Sequence, residues 1–441
     1  MIVPILAVAL AAPAAAEAPA RPPAPGGKLT LAEAVRLAVR YSPALAASEA
    51  RLAQAGHQIA QTRAGVYPQV SLSASALNFR QIDANAISSF GGGLGGANLG
   101  GFAPPGGSFN FMQTGVAVSQ TLFDGFQTAD ALAIADATLG MNEVDLANQR
   151  RKAAYDAASA YFAVLRAERL ARNARDAARQ TDAHVAAATV REKAGTGTRF
   201  EILQAETQRA AVRGQVRAAE NAAALARLNL GNVIGEDLGD RAPETVLLPE
   251  GAPGAVAEAV ERRPEVQTLA WKRRLDEAAV DLSRKANLPR VSLNGNYSQQ
   301  GFTSGRSLSV TMGLQWNLID WGKADAKVAQ TEKDLAQTDL LLAQARRNLA
   351  ADVQGAVLSR QDARDRLEIA ERGAGLAREA HRMAEVRYRA GIGTSFDVID
   401  AQTSLLQAEN SEAQARFDTQ LAEIRLAQAL GVELAIPGES P

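Results

Sequence analysis

Cysteine is absent from the 441-residue chain. No disulfide framework, thiolate metal site or lipid anchor on an N-terminal cysteine is therefore available. Histidine is nearly absent, with three copies at His57, His184 and His381, none in a metal-ligand spacing such as H-E-x-x-H. Each stands in a polar helical run, the setting of a solvated surface side chain. Charge of one sign is also lacking. The net charge is −1, so the concentrated basic surface that nucleic acid requires is missing. No G-x-S-x-G elbow and no phosphate loop occurs; GGGLGGANLGG at positions 91–101 lacks the following Lys-Ser/Thr and a flanking βαβ unit. Acid–base pairs are plentiful, but charge runs on helices are ordinarily solvated faces. The sequence thus offers no catalytic residue, no cofactor and no metal site.

Long hydrophobic runs are missing from the body of the chain, where nothing approaches the ~18 uncharged apolar residues of a membrane helix. The first residues, MIVPILAVALAAPAAAEAPA, form one short apolar run that ends at the small-x-small pattern Ala14-Ala15-Ala16. Residues 1–16 read as a secretory signal peptide without its basic n-region. Residues 17–28, with ARPPAPGG, read as an extended linker. The expectation is an exported chain with no spanning helix.

What the chain does contain is a repeat. AGTGTRFEILQAE at Ala194–Glu206 is answered by AGIGTSFDVIDAQ at Ala390–Gln402, a spacing of 196 from 194 to 390. Leu122-Phe123-Asp124 and Leu318-Ile319-Asp320 share that spacing. Ser42-Pro43 and Arg263-Pro264 stand 221 apart instead, as do Tyr67-Pro68 and Leu288-Pro289. The spacing falls by 25 between Pro68 and Leu122, so the first half carries an insertion of about that length there. Its glycine-rich sequence over 85–110 predicts a loop. Two copies of one supersecondary unit account for the doubling. They are assigned to 29–235 and 255–435, with a connecting segment at 236–254 and a tail at 436–441.

Each half predicts the order helix, strand, loop, strand, very long helix, tight turn, helix. The first helices are expected at roughly 31–64 and 255–287, each followed by a proline. The long helices are expected at roughly 129–193 and 324–389, rich in strong helix formers and on the order of 100 Å long. Gly195, Gly197, Gly391 and Gly393 suit the turns. Thr198 and Thr394 suit N-caps, with Glu201 and Asp397 as capping-box acids. The return helices, about 199–233 and 395–430, span only ~50 Å. One return helix plus one first helix matches one long helix, which predicts end-to-end stacking into a rod. Its small residues, such as Ala153, Ala157, Ala160 and Val164, allow a close coiled-coil-like seam.

Four segments alternate with period two. In LSVTMGLQWNL, Leu308, Val310, Met312, Leu314, Trp316 and Leu318 share one face. VSLNGNYS and VSLSASA behave alike, and VAVSQTLF more weakly. Such alternation fits a half-buried soluble sheet and equally an outer-membrane barrel strand. Export and the long helices favour the barrel. Membrane barrels begin at about eight strands, and an open edge in lipid is prohibitive, so several copies would have to share one barrel. The competing reading is a structural periplasmic coiled-coil or adhesin-like protein whose hairpins are soluble sheet.

The doubled plan, together with the phrase AG-x-G-T-x-F-D-V-x-D-A-Q, resembles the TolC family of efflux and type I secretion channels over nearly the whole mature chain. The resemblance implies a mainly α fold with a membrane β-barrel portion. A homotrimer shares twelve strands, four per protomer, in outer-membrane lipid, and its helices form a periplasmic tunnel. A periplasmic adaptor and an inner-membrane pump driven by protons or ATP dock at the far end. It further implies that Asp397 and Asp400 form the pore constriction. For Asp397 the repeat partner is Glu201, so an acid that merely offsets the helix dipole is an alternative; for Asp400 the partner is the neutral Gln204. Adaptor contact is implied at the tips Ala194-Gly195-Thr196 and Ala390-Gly391-Ile392. In TolC a basic residue in the second tip helps lock the closed state through acids and a tyrosine. Gly393 stands at that place here, with Tyr388 and Glu201 kept and Arg199 as the nearest substitute.

Overall fold

The computed structural model describes residues 27–80, 108–239, 241–249, 256–300 and 305–436. The expected signal segment and nearly all of the linker, most of the 85–110 loop and the last five residues lie outside them. In chain order the elements are α1 Leu31–Tyr41, α2 Pro43–Ala64, β1 Gln69–Arg80, β2 Ser108–Phe123, α3 Gln127–Lys193 and α4 Arg199–Ile234. There follow α5 Val256–Arg262, α6 Pro264–Arg284, β3 Arg290–Gln300, β4 Gly305–Gln315, α7 Lys323–Arg389 and α8 Ser395–Leu430. The two long helices, α3 and α7, have 67 residues each, on the order of 100 Å.

Each first helix, expected as one, is two. Ser42 and Arg263 are extended, with ψ of 116° and 136°, and Pro43 and Pro264 begin the next helix. Proline clashes with a helical residue before it, yet its fixed φ suits the first position of a helix. The same dipeptides that mark the repeat therefore break the helices.

The stacking expectation holds within the second repeat. Along α7, the strand-proximal half packs on α6 through Arg273–Asp339 and Arg284–Glu332, and α5 adds Arg346–Glu261. The tip-proximal half packs on α8 through Arg378–Glu409 and Arg416–Glu371. In the first repeat α2 reaches α3 at Ser48–Asp145, and α4 at Arg227–Glu168 and Arg175–Glu220. Helix α3 also crosses repeats, where Gly140 lies under the Trp271 ring of α6. The largest buried cluster surrounds the middle of α3, where Tyr161, Phe162 and Leu165 meet Leu29, Leu31, Leu230, Ile234 and Ile424. Tyr161 donates its hydroxyl to the carbonyls of Leu29 (2.8 Å) and Glu244 (2.6 Å), tying the start of the chain and the inter-repeat segment to this waist.

The four strands form one antiparallel sheet in the order β1-β2-β3-β4. Register aligns Leu72, Val116, Tyr297 and Leu308 across it, and likewise Val70, Val118, Gly295 and Val310. Paired residues share a face, so these two rows are apolar, while the next row outward on the same face, Ala74, Thr114, Gln299 and Arg306, turns polar. Ser71, Ala117, Asn296 and Ser309 align on the other, polar side. The weak alternation of VAVSQTLF has a cause: a bulge between Thr121 and Phe123 brings Phe123 opposite Val291, and Leu122 becomes the extra residue. Trp316 and Leu318, assigned to the fourth strand from sequence, fall just beyond its end at Gln315.

Candidate functional site

The two helix–turn–helix ends, residues 190–205 and 386–402, are built alike. Gly195 and Gly391 adopt left-handed φ values of 74° and 78°. Thr196 and Gly197 both donate backbone N–H to the Arg191 carbonyl at 3.0 Å; Ile392 and Gly393 do the same to Arg387 at 3.0 Å. A Cβ on Gly197 would stand 3.0 Å from the Arg191 side chain, and one on Gly393 3.0 Å from the Tyr388 nitrogen. The first glycine is thus required by backbone conformation and the second by crowding, which explains the repeated A-G-x-G-T. Ala194, Gly195, Thr196, Ala390, Gly391 and Ile392 are all exposed at these ends.

The capping acids diverge. Thr394 and Asp397 complete a reciprocal capping box: the Asp397 N–H donates to Thr394 Oγ1 at 3.2 Å, and the Thr394 N–H to Asp397 Oδ2 at 2.9 Å. That backbone donor and the Thr394 hydroxyl hold the Asp397 carboxyl below its usual range. At Thr198 only half of the box forms, through the Glu201 N–H. The Glu201 carboxylate instead accepts from the Tyr388 hydroxyl at 3.3 Å, across to the other hairpin. Asp397 and Asp400 are both exposed, one turn apart on α8.

Tyr388 is 3% exposed. Burial, aided by Glu201, pushes its phenol up, while Arg191 acts in the opposite sense. The arginine that spans the two hairpins is Arg191. Its guanidinium donates to the Tyr388 carbonyl and to the Thr196 carbonyl at 3.3 Å, and lies 4.5 Å from the Tyr388 ring centroid. Arg199, the substitute expected from sequence, is exposed.

His184 and His381 correct the expectation of surface histidines, since both are buried; His57 is exposed. His184 Nε2 lies 2.9 Å from Ser395 Oγ, and its ring centroid 5.1 Å from that of Tyr388. Gln402 donates to the Ala177 carbonyl (2.9 Å) and to Thr181 Oγ1 (2.7 Å). Sequence reasoning missed Arg191, His184, Ser395 and Gln402. A signal for the α3 members existed: Ala174, Ala177, Thr181, His184 and Ala188 follow a three–four spacing, the trace of a packed seam.

At the opposite end, β4 shows Leu308, Val310, Met312 and Leu314 at 68–76% exposure. Where the strands meet the long helices, Asp124 accepts from the Thr128 N–H (2.7 Å) and Asp320 from the Ala324 N–H (2.9 Å). Beside these caps, Phe126 (φ 65°) and Trp321 (φ 57°) are left-handed without being glycine. Trp321 is nevertheless 94% exposed.

Comparison with known proteins agrees with this geometry. A family model described as Outer membrane efflux protein matches residues 34–236 and 255–432. The outer membrane efflux protein BepC of Brucella suis is 25% identical over 327 residues, 72% of this chain and 71% of that protein. The pyoverdine export outer membrane protein OpmQ of Pseudomonas putida is 26% identical over 265 residues, 57% of this chain but only 56% of that protein. Among solved structures, VceC of Vibrio cholerae superposes with a TM-score of 0.74 at 18% identity, covering 92% of this chain and 96% of that one. The CmeC channel of Campylobacter jejuni gives 0.77 at 16% identity, with 93% and 87% covered. These likenesses show the fold. Among the described residues no helix is long and apolar enough to cross a membrane. The chain belongs to the outer membrane efflux protein family.

Proposed function

We propose that three copies of the chain share one twelve-stranded barrel in the outer membrane. Their helices would continue as a periplasmic duct that opens and closes at the tips. The observation that carries this reading is the four-stranded sheet itself. It carries an apolar band on one side, through the Leu72–Val116–Tyr297–Leu308 and Val70–Val118–Gly295–Val310 rows, and β1 and β4 are its two edges. An edge with unpaired backbone groups cannot face lipid, so β4 of one copy pairs with β1 of the next. Leu308, Val310, Met312 and Leu314 then face lipid. Trp316, Trp321, Phe126 and Tyr67, exposed at the helical end of the sheet, form an aromatic girdle at the membrane–water boundary. Left-handed backbone at two of these aromatics is strain that a placement role accounts for.

At the far end Asp397 and Asp400, repeated around the threefold axis, place six carboxylates in a narrow pore. Rings of acids favour cations. The exposed tips at 194–196 and 390–392 receive a periplasmic adaptor and, through it, an inner-membrane pump that supplies the energy. The Tyr388–Glu201 and Arg191–Tyr388 links hold the tips closed. The protein does no chemistry of its own. Single-channel recording of purified protein in planar bilayers tests the duct. Small, cation-selective openings from protein that migrates as a heat-modifiable trimer are expected. Folded protein without channels would overturn the reading in favour of a structural coiled coil.

A further inference from the structure

At the tip end, the boundary between hairpin α3/α4 and hairpin α7/α8 is buried and yet polar. Down α3, Asn173 donates to Asn410 at 3.2 Å, Ala177 and Thr181 receive Gln402, His184 meets Ser395 at 2.9 Å, and Arg191 reaches Tyr388. Asn173, Thr181, His184, Ser395 and Gln402 are all buried. Within each hairpin the polar links at these levels are peripheral ion pairs, such as Arg213–Asp182 and Arg378–Glu412. Hydrogen bonds along a seam can be exchanged for bonds to water as the seam parts, whereas apolar contacts have no such replacement.

We propose that His184 makes the parting of this seam at the tip acid-sensitive. The proposal rests on the gated-duct reading and names a regulator of that same site. Every element around His184 contributes a group. On α3 itself these are Thr181 and Arg191, and from α4 Glu201. Helix α7 supplies His381, Glu385 and Tyr388, and α8 supplies Ser395. Asp397, in the same first turn as Ser395, is turned back onto the Thr394 N–H. Burial is the strongest influence on the His184 imidazole and lowers its pKa. Glu385 and Glu201 pull the other way, His381 adds to the lowering, and the net direction is down.

The sign follows. The closed seam holds a neutral imidazole, whereas the parted seam exposes it to water, where histidine titrates near 6.5. Closure is therefore fully favoured above about pH 6.5 and loses its advantage as pH falls below that value. At lower pH the open-to-closed ratio rises, and one unit below, at about pH 5.5, the rise is bounded at about tenfold per protomer.

The test uses the full chain in planar bilayers at about pH 7.5 and 5.5, with heat-modifiable migration confirming that each protein is folded. Wild-type protein should show a clear rise in open-to-closed ratio, bounded at about tenfold per protomer. His184→Asn and His184→Gln, which keep hydrogen-bonding capacity but do not titrate, should flatten it to below about twofold. His57→Asn, on exposed α2, should respond as the wild type does. A rise that survives both His184 substitutions, or a wild type with channels but no rise, overturns the latch and leaves the duct standing. A folded wild type without channels at either pH overturns both.

Discussion

The contact between Gly140 of α3 and Trp271 of α6 joins the two repeats on the strand-proximal half of the long helices, and a single methyl group tests it. A Cβ on Gly140 would stand 2.5, 2.6 and 2.8 Å from Cε2, Cδ2 and Cζ2 of the Trp271 ring. Ordinary carbon–carbon contact is about 3.5–4.0 Å, so the ring must withdraw by roughly 1 Å. The nearest atoms belong to a rigid ring, and the guanidinium of Arg274 stacks over it, 4.4 Å from the centroid. Overpacking of this kind costs about 1–3 kcal/mol. Against it, alanine in a helix interior is better than glycine by about 1 kcal/mol. The sum predicts that Gly140→Ala is neutral to destabilising by about 2 kcal/mol. Where Trp271 has been replaced by Ala the clash is gone, and the same change should stabilise by about 1 kcal/mol. The assay is a double-mutant cycle on the thermal transition in detergent, followed by circular dichroism, with shifts of a few degrees expected. Opposite signs in the two backgrounds are expected; a stabilising Gly140→Ala in both would refute the packing argument. Tip gating should persist in all four proteins, because α6 leads into β3 and touches neither tip.

Other outcomes follow from the tips and the girdle. Asp400→Ala should weaken cation selectivity in bilayers without shifting the melting transition. Asp397→Ala should do both, since it also removes the capping box; equal behaviour of the two would refute the distinction. Because the Asp397 pKa is lowered in the fold, its capping contribution is complete above about pH 4 and fades below, which a pH series of wild type against Asp397→Ala would read. Arg191→Ala should raise open probability, whereas Arg199→Ala should leave it near wild type; the reverse order would return the lock to Arg199. A Trp271→Phe/Trp316→Phe protein retains Trp321 as its sole tryptophan. Its fluorescence in liposomes should be quenched more by lipids brominated near the headgroup than by lipids brominated deep in the chain. No quenching by either would place Trp321 in the periplasm.

Much of the fold was legible because each half repeats the same punctuation. Leu430, Arg389 and Lys193 end their helices where glycine and helix-former composition predicted, since capping and turn chemistry are local. The break at Ser42 and Arg263 was also local, and the proline that marks it was misread as a repeat landmark only. The bulge after Thr121 and the end of β4 at Gln315 were not legible, because register depends on the partner strand. The site divides on the same line. Gly195, Gly391, Thr394 and Asp397 act within one turn of chain and could be read directly. Arg191, His184, Ser395 and Gln402 act across the hairpin boundary, between residues such as 184 and 395 that no local pattern links. A buried histidine in a polar stretch looks solvated from its neighbours in sequence; what removes it from water is a second helix packed over its three–four spaced stripe. That spacing carries the same information for His184 as for Ala177 and Ala188. The period of a stripe, more than the polarity of its members, is therefore what marks the seam along which this duct would open.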